Sequence, residues 1–342
     1  MLLVGFRGTE LSDTMHIVRD IRDYHIGGVI LFEYDAPSHS RPRNITSREQ
    51  LTRLCHGLQA LDDEMLLISI DQEGGAVNRL KEQYGFPPFL SAAQQSNDET
   101  ALNQAVLTAE TLHSLGINLN FAPCVDVNVN PDCPIIGKLG RSFSSDPQRV
   151  ARLADYWLNA LGNKDVIPCL KHFPGHGSSK SDTHKGLADV TDTWQDCELE
   201  PYRLLVQEMD HFGGGKTFMV MTTHVFNAKL DPDYPATLSR KTLSGLLRDS
   251  LGFNGVIITD DLAMGAMTQQ YSYEEMLALT INAGANMLCL SNNGAEYNAD
   301  IVPQTVELIE RLVQEGKIDA RLIHDSARRI RKLKDIYTNK SY

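Results

Sequence analysis

Eight short apolar, β-rich runs recur along the chain, and stretches with helical periodicity separate them. The runs predict strands near Leu2–Phe6, Gly28–Phe32, Leu66–Ile70 and Ile117–Phe121. Four more follow near Val166–Leu170, Phe218–Met221, Val256–Ile258 and Met287–Leu290. They are apolar almost throughout, the pattern of strands covered on both faces in a parallel sheet. Thr46-Ser47-Arg48-Glu49 and Ser96-Asn97-Asp98-Glu99 both fit capping boxes, in which a hydroxyl and a carboxylate satisfy free N–H groups of a first turn. Leu51, Leu54, Cys55 and Leu58 continue at helical spacing, as do Leu243, Leu246, Leu247 and Leu251. Eight such units predict an α/β chain closed into a (β/α)8 TIM-type barrel, one domain over residues 1–342, with a doubly wound open sheet as the alternative.

Composition narrows the partners. A formal net charge of −12 argues against nucleic acid, whose phosphates call for clustered Lys and Arg. The basic run Arg328–Lys334 has its Ile and Leu at the spacing of a last helix with a solvated face. No segment reaches the roughly 18–20 apolar residues that span a bilayer, and MLLVGFRG at the start runs directly into polar sequence, unlike a signal peptide. Six cysteines without a close CxxC pair fit a reducing, cytoplasmic setting, although a leader removed upstream of Met1 would leave the same sequence.

Polar residues collect where strands end. The third strand runs into Asp71-Gln72-Glu73-Gly74-Gly75, the fifth into Lys171-His172, the sixth into Thr223-His224 and the seventh into Thr259-Asp260-Asp261. In a parallel barrel these positions share the C-terminal rim, where reactive groups sit. After the fifth strand come Pro174, Gly175 and Gly177, read as a flexible connector, and then Asp182-Thr183-His184. In an extended stretch Asp182 and His184 project to one side, so the carboxylate can orient the imidazole as a general acid/base. Three histidines raise the question of a metal, but a Gly/Pro-rich loop lacks the frame of a zinc site, and neither metal nor cofactor is expected. Of the adjacent Asp260 and Asp261, one faces the axis and Asp261 is the better helix N-cap.

At these residues the chain resembles glycoside hydrolase family 3, in its single-domain β-N-acetylhexosaminidase branch. The motifs are Asp71–Gly75, Gly140-Arg141-Ser142-Phe143, Lys171-His172-Phe173-Pro174-Gly175-His176-Gly177, Asp182-Thr183-His184 and Thr259–Met264. The resemblance implies a retaining enzyme that removes terminal β-linked N-acetylglucosamine, with Asp260 as nucleophile, His184 as acid/base and Asp182 orienting it. It also implies that Asp71, Arg79, Arg141, Lys171 and His172 bind the sugar, and that the partner is a β-N-acetylhexosaminide from a muropeptide or from chitin. The sequence departs from relatives at Ala76, where Arg is frequent, at Thr183, where Ser is frequent, and in lacking a proline over Lys185–Asp189. Rival readings are a β-glucosidase or β-xylosidase, a phosphorylase of the same family, and a catalytically silent sugar-binding barrel. Oligomeric state has no signature in the sequence.

Overall fold

The computed structural model describes residues 1–209, 212 and 215–338. Eight parallel strands form the sheet: β1 (Leu2–Gly5), β2 (Gly28–Leu31), β3 (Leu67–Ile70), β4 (Leu119–Asn120), β5 (Ile167–Phe173), β6 (Met219–Thr222), β7 (Ile257–Ile258) and β8 (Leu288–Leu290). Each falls on one of the eight predicted runs. β8 returns to β1 through the pairs Leu2–Leu288 and Leu3–Cys289. Ile258 and Met287 form the parallel bridge that joins β7 to β8 and closes the ring. Closure, rather than an open doubly wound sheet, leaves no edge to protect.

Side-chain alternation sorts the strand residues into two layers. Leu3, Ile30, Leu67, Leu119, Phe121, Ile167, Cys169, Met219 and Cys289 fill the barrel interior. Leu2, Val4, Val29, Leu31, Ile68, Ile70, Leu170 and Val220 point outward, against the helices. Because both faces are covered, the strands read as unbroken apolar runs. The floor is supplied by the last helix, α9 (Ala320–Thr338), whose Ile330, Leu333 and Tyr337 join the interior cluster. The basic run therefore belongs to a helix that buries its apolar stripe and leaves most of its cations in water.

The helices α1 (His16–Tyr24), α2 (Arg48–Gln59), α3 (Asp98–Leu115), α4 (Pro147–Gly162) and α5 (Glu200–Gln207) follow the first five strands. A π-wound helix at Lys241–Ser250, the short α6 (Gly265–Thr268), α7 (Tyr273–Ala283) and α8 (Ile301–Gln314) complete the shell. Two predicted caps shift by one residue. Ser47 caps α2 by accepting Gln50 N–H at 3.2 Å, and Asn97 caps α3 by accepting Thr100 N–H at 2.9 Å. Each follows another capping residue, so sequence alone offers two registers, and Glu49 and Glu99 lie in the first turn beside the positive end of the dipole. Leu67 is fully buried in the barrel interior; Leu67→Ala is expected to lower unfolding free energy by about 2–5 kcal/mol, read from urea titration.

Candidate active site

Loops leaving the C-terminal ends of the strands assemble one polar cluster. β3 ends at Ile70, which places Asp71 and Glu73 on the rim, and β5 carries Lys171 and His172. The pairing of β5 with β6 shifts register between Leu170 and Phe173, so β5 is irregular where these two residues leave the barrel. Lys171 Nζ lies 2.8 Å from Asp71 Oδ1 and 2.6 Å from Glu73 Oε1. Arg141 grips Glu73 with two bonds of 2.8 and 2.7 Å, the fork geometry that suits a carboxylate. Arg79 reaches Asp71 Oδ2 at 3.5 Å.

Burial opposes charge on these groups, and their pairing outweighs it. Burial alone raises Asp71 and Glu73, but Lys171 and Arg79 hold Asp71 below its ordinary value, and Arg141 and Lys171 hold Glu73 far below. Burial alone lowers Lys171, yet Asp71 and Glu73 raise it above the usual lysine range. The cluster is therefore fully ionised and tied together, with carboxylate and ammonium groups set at the mouth of the barrel.

Asp126, in the loop after β4, holds His172. Its Oδ2 lies 2.6 Å from His172 Nδ1, and Oδ1 accepts the N–H groups of His172 at 3.3 Å and His176 at 2.7 Å. Arg141 donates toward His172 Nε2 at 3.2 Å, so Nδ1 carries the proton given to Asp126. Burial raises Asp126, but His172 and the bonds it accepts bring the carboxyl down to about 2. Cys124, Asp126 and His172 bring three donor atoms within 4.8 Å of one another. Two ligands on a tetrahedral zinc sit about 3.3 Å apart, so the shorter His–Asp separation is that of a hydrogen bond.

Asp260 ends β7 half-buried and accepts Asp261 N–H at 2.8 Å. Burial raises its pKa, but His224, His172 and His184 outweigh that and hold it below the ordinary value. His224 is buried and its pKa is lowered by burial; its Nε2 donates to Asp261 O at 2.9 Å. Asp261 turns away from the site. It accepts Ser291 N–H at 3.0 Å and Ala263 N–H at 3.2 Å and bonds Ser291 Oγ. It caps a turn and ties β7 to β8 instead of capping a helix, because α6 begins only at Gly265.

The predicted dyad forms by a different route. Asp182 Oδ1 accepts both His184 N–H at 2.9 Å and Nδ1–H at 2.8 Å. Lys185 N–H returns to Asp182 O at 3.0 Å, so the segment is a turn and not extended chain. An Asp side chain that bonds the backbone two residues on builds this shape locally. His184 stays exposed, with its Nε2 edge free of Asp182.

The stretch between His172 and Asp182, expected as a flexible connector, is packed from Phe173 to Ser179 and exposed only at Lys180 and Ser181. Residues 171–179 are buried throughout. A Cβ on Gly177 would lie 1.8 Å from Val127 O, and one on Gly175 would lie 2.6 Å from Glu198 Cβ. These glycines permit close backbone packing, and Gly175 also has a φ of +124°. Glu73 and His224 stand in the polar strand ends and His176 in the loop motif, but the sequence assigns them no role, and Asp126 and Glu198 carry no sequence signal of their own. Glu198 is fully buried, with Oε2 accepting Ser178 N–H and Oε1 accepting Gln195 N–H, both at 3.2 Å.

A parallel barrel whose rim holds a half-buried carboxylate, a His–Asp pair and a charged cradle has groups suited to nucleophilic attack and proton transfer, the chemistry a glycoside hydrolase uses. The chain matches the model of the glycosyl hydrolase family 3 N-terminal domain over residues 3–333, and it belongs to that family. A β-hexosaminidase of Tolumonas auensis is 34% identical over 300 residues, covering 86% of this chain and 83% of that protein. A β-hexosaminidase of Idiomarina loihiensis is 31% identical over 328 residues, covering 91% and 92%. A family 3 β-N-acetylglucosaminidase from Paenibacillus sp. str. FPU-7 superposes with a TM-score of 0.85 at 32% identity, over 100% of this chain and 62% of that one. A β-N-acetylhexosaminidase from Beutenbergia cavernae does so with a TM-score of 0.82 at 27% identity, over 97% and 96%. This chain thus spans under two thirds of the first structure and nearly all of the second. No helix among the described residues is long and apolar enough to cross a membrane.

Glu198 generates a pH prediction. Burial raises its carboxyl to about 7, against the two N–H groups that favour the charged form. A folded pKa above the unfolded one gives stability that is complete below about 4.5 and is lost as pH rises through 7. Wild type is expected to lose about 1–3 kcal/mol more between pH 5 and 8 than Glu198→Gln does, measured by urea unfolding at both pH values.

Proposed function

We propose that residues 1–342 work as one catalytic domain, a retaining β-N-acetylhexosaminidase that hydrolyses terminal β-linked N-acetylglucosamine. The observation that carries this reading is the pairing of His184 with Asp182 at 2.8 Å on an exposed turn of the barrel rim that also bears the half-buried Asp260. Asp260, ionised at neutral pH, attacks the anomeric carbon and forms the covalent glycosyl-enzyme. His184 Nε2 gives its proton to the leaving oxygen, and Asp182 accepts the Nδ1–H of the imidazolium and imidazole in turn. The now neutral His184 takes a proton from water, which attacks the anomeric carbon from the face the leaving group vacated and releases Asp260.

The charged cradle serves recognition. Asp71 and Lys171 offer an acceptor and a donor to adjacent sugar hydroxyls, and Arg79, Arg141 and His172 complete the set. Ala76, exposed in the turn after Asp71, removes one long cation from the mouth and leaves that side open to the leaving group. A glucosidase-type reading needs a carboxylic acid/base at the position filled here by His184. The silent-barrel reading does not account for a complete nucleophile and dyad beside an intact cradle.

Asp260→Ala is expected to lower kcat at least about 10³-fold on a nitrophenyl N-acetylglucosaminide. His184→Ala is expected to lower kcat/KM about 10²-fold on chitobiose, and less than about threefold on a dinitrophenyl glycoside, whose leaving group needs no proton. Equal losses on both would remove His184 from the acid role. Sugar 1-phosphate formed in phosphate buffer would mark a phosphorylase, and relative rates on chitobiose and an anhydro-muropeptide would rank the two natural substrates.

A further inference from the structure

His184 and Lys185 lie exposed on a turn at the rim, and the bonds of His184 run to Asp182, its own neighbour in the turn. Nothing in that pair sets where the turn stands relative to Asp260. The residue between them does. Thr183 is 1% exposed, its Oγ1 is 3.3 Å from His176 Nε2, and its carbonyl accepts Ala266 N–H at 3.0 Å. His176 is neutral, with burial and the nearby His172 lowering it to about 4. Its Nδ1 meets no protein partner, and a bare lone pair costs less there than a stranded N–H, so Nε2–H donates to Thr183.

The other side of the contact is α6, in the segment that follows Asp260. Ala266 N–H is one of the free donors of a first helical turn, which Thr183 O satisfies. A Cβ on Gly265 would lie 2.7 Å from His184 O and 3.2 Å from Lys185 C, so only a bare α-carbon lets the turn dock this closely. Gln269 Nε2 adds a bond to Lys185 O at 3.2 Å. The platform itself is fixed: Ala266 and Met267 are fully buried, Leu262 N–H bonds Cys289 O at 3.1 Å, and Asp261 is tied to Ser291.

We infer that Thr183 and the Gly265–Gln269 face of α6 form a latch that positions the His184–Asp182 pair over Asp260. One hydroxyl links the dyad through His176 to Asp126, and so to the sugar-holding His172. One carbonyl links it to the short helix that follows the nucleophile. The proton donor, nucleophile and sugar cradle thereby share a single register, and a displacement of about 1 Å in such a constellation costs on the order of 10²-fold in rate. Thr183 and Gly265 are positioning residues, and the inference rests on His184 being the acid/base.

The test compares kcat/KM on chitobiose and on a dinitrophenyl N-acetylglucosaminide for Thr183→Val, Thr183→Ser, Gly265→Ala, Gln269→Ala and His184→Ala. N-acetylglucosamine inhibition and thermal melting are measured beside them. Thr183→Val and Gly265→Ala are expected to lose about tenfold or more on chitobiose and less than about threefold on the activated substrate, with the inhibition constant unmoved. Thr183→Ser is expected to recover most of the loss, and Gln269→Ala, an exposed change that leaves the core intact, to lose about two- to fivefold in the same selective sense. If His184→Ala shows the selective loss while Thr183→Val, Gly265→Ala and Gln269→Ala match wild type, the latch is wrong and the acid assignment stands. Equal losses on both substrates with a lowered melting temperature would make the contact merely structural and overturn the proposal. A nonselective His184→Ala would remove the acid/base reading and the latch with it.

Discussion

The Asp126 carboxylate is the point on which the site depends. It accepts the ring and backbone N–H groups of His172 and the backbone N–H of His176, and Cys124 Sγ lies 3.2 Å away. A carboxylate that accepts several N–H donors stays ionised even when buried, which is why its pKa falls despite desolvation. That single anion fixes the tautomer of His172, the start of the following loop and, through His176, the root of the dyad. An apolar side chain of the same size would leave those donors unpaired in a dry setting, at about 1–3 kcal/mol each.

Around it, charges are held in alternation. Lys171, Arg141 and Arg79 meet Asp71 and Glu73, so three cations and two anions share the barrel mouth. Burying such a set gains little stability over an apolar core, because desolvation offsets most of the attraction. Its effect is preorganisation: donors and acceptors are held in fixed positions at the barrel mouth and need not reorient to meet a polar group there. Asp260 differs in kind. No Lys or Arg pairs with it among the described residues, and the influence of His224, His172 and His184 outweighs burial and holds its carboxyl below the ordinary value.

Much of this arrangement was legible in the residues. The eight strands could be read because burial on both faces demands continuous apolar runs. The rim residues Asp71, Lys171, His172 and Asp260 could be read because polar groups interrupt those runs at one end. Helix starts were misplaced by one residue where two capping residues stand together, since either satisfies the same donors. The stretch between His172 and Asp182 reads as a flexible connector because Gly and Pro permit both mobility and close contact, and what decides for its buried part is what packs against it. Here Val127 O and Glu198 do.

By itself the sequence determined the barrel, the polar rim at its strand ends, the family and the likeness to β-hexosaminidases, all through local pattern and motif. Tertiary structure alone decided that Asp126 orients His172, that Glu73 is shared by Lys171 and Arg141, and that Thr183 docks on α6. These contacts join residues far apart in the chain, such as Asp126 with His172 and Thr183 with Ala266. No spacing rule reaches them, because only closure of the barrel brings their loops to one rim. The Lys171–His184 segment shows the division: its composition announced reactive groups, and its buried half and docked turn determined where those groups stand.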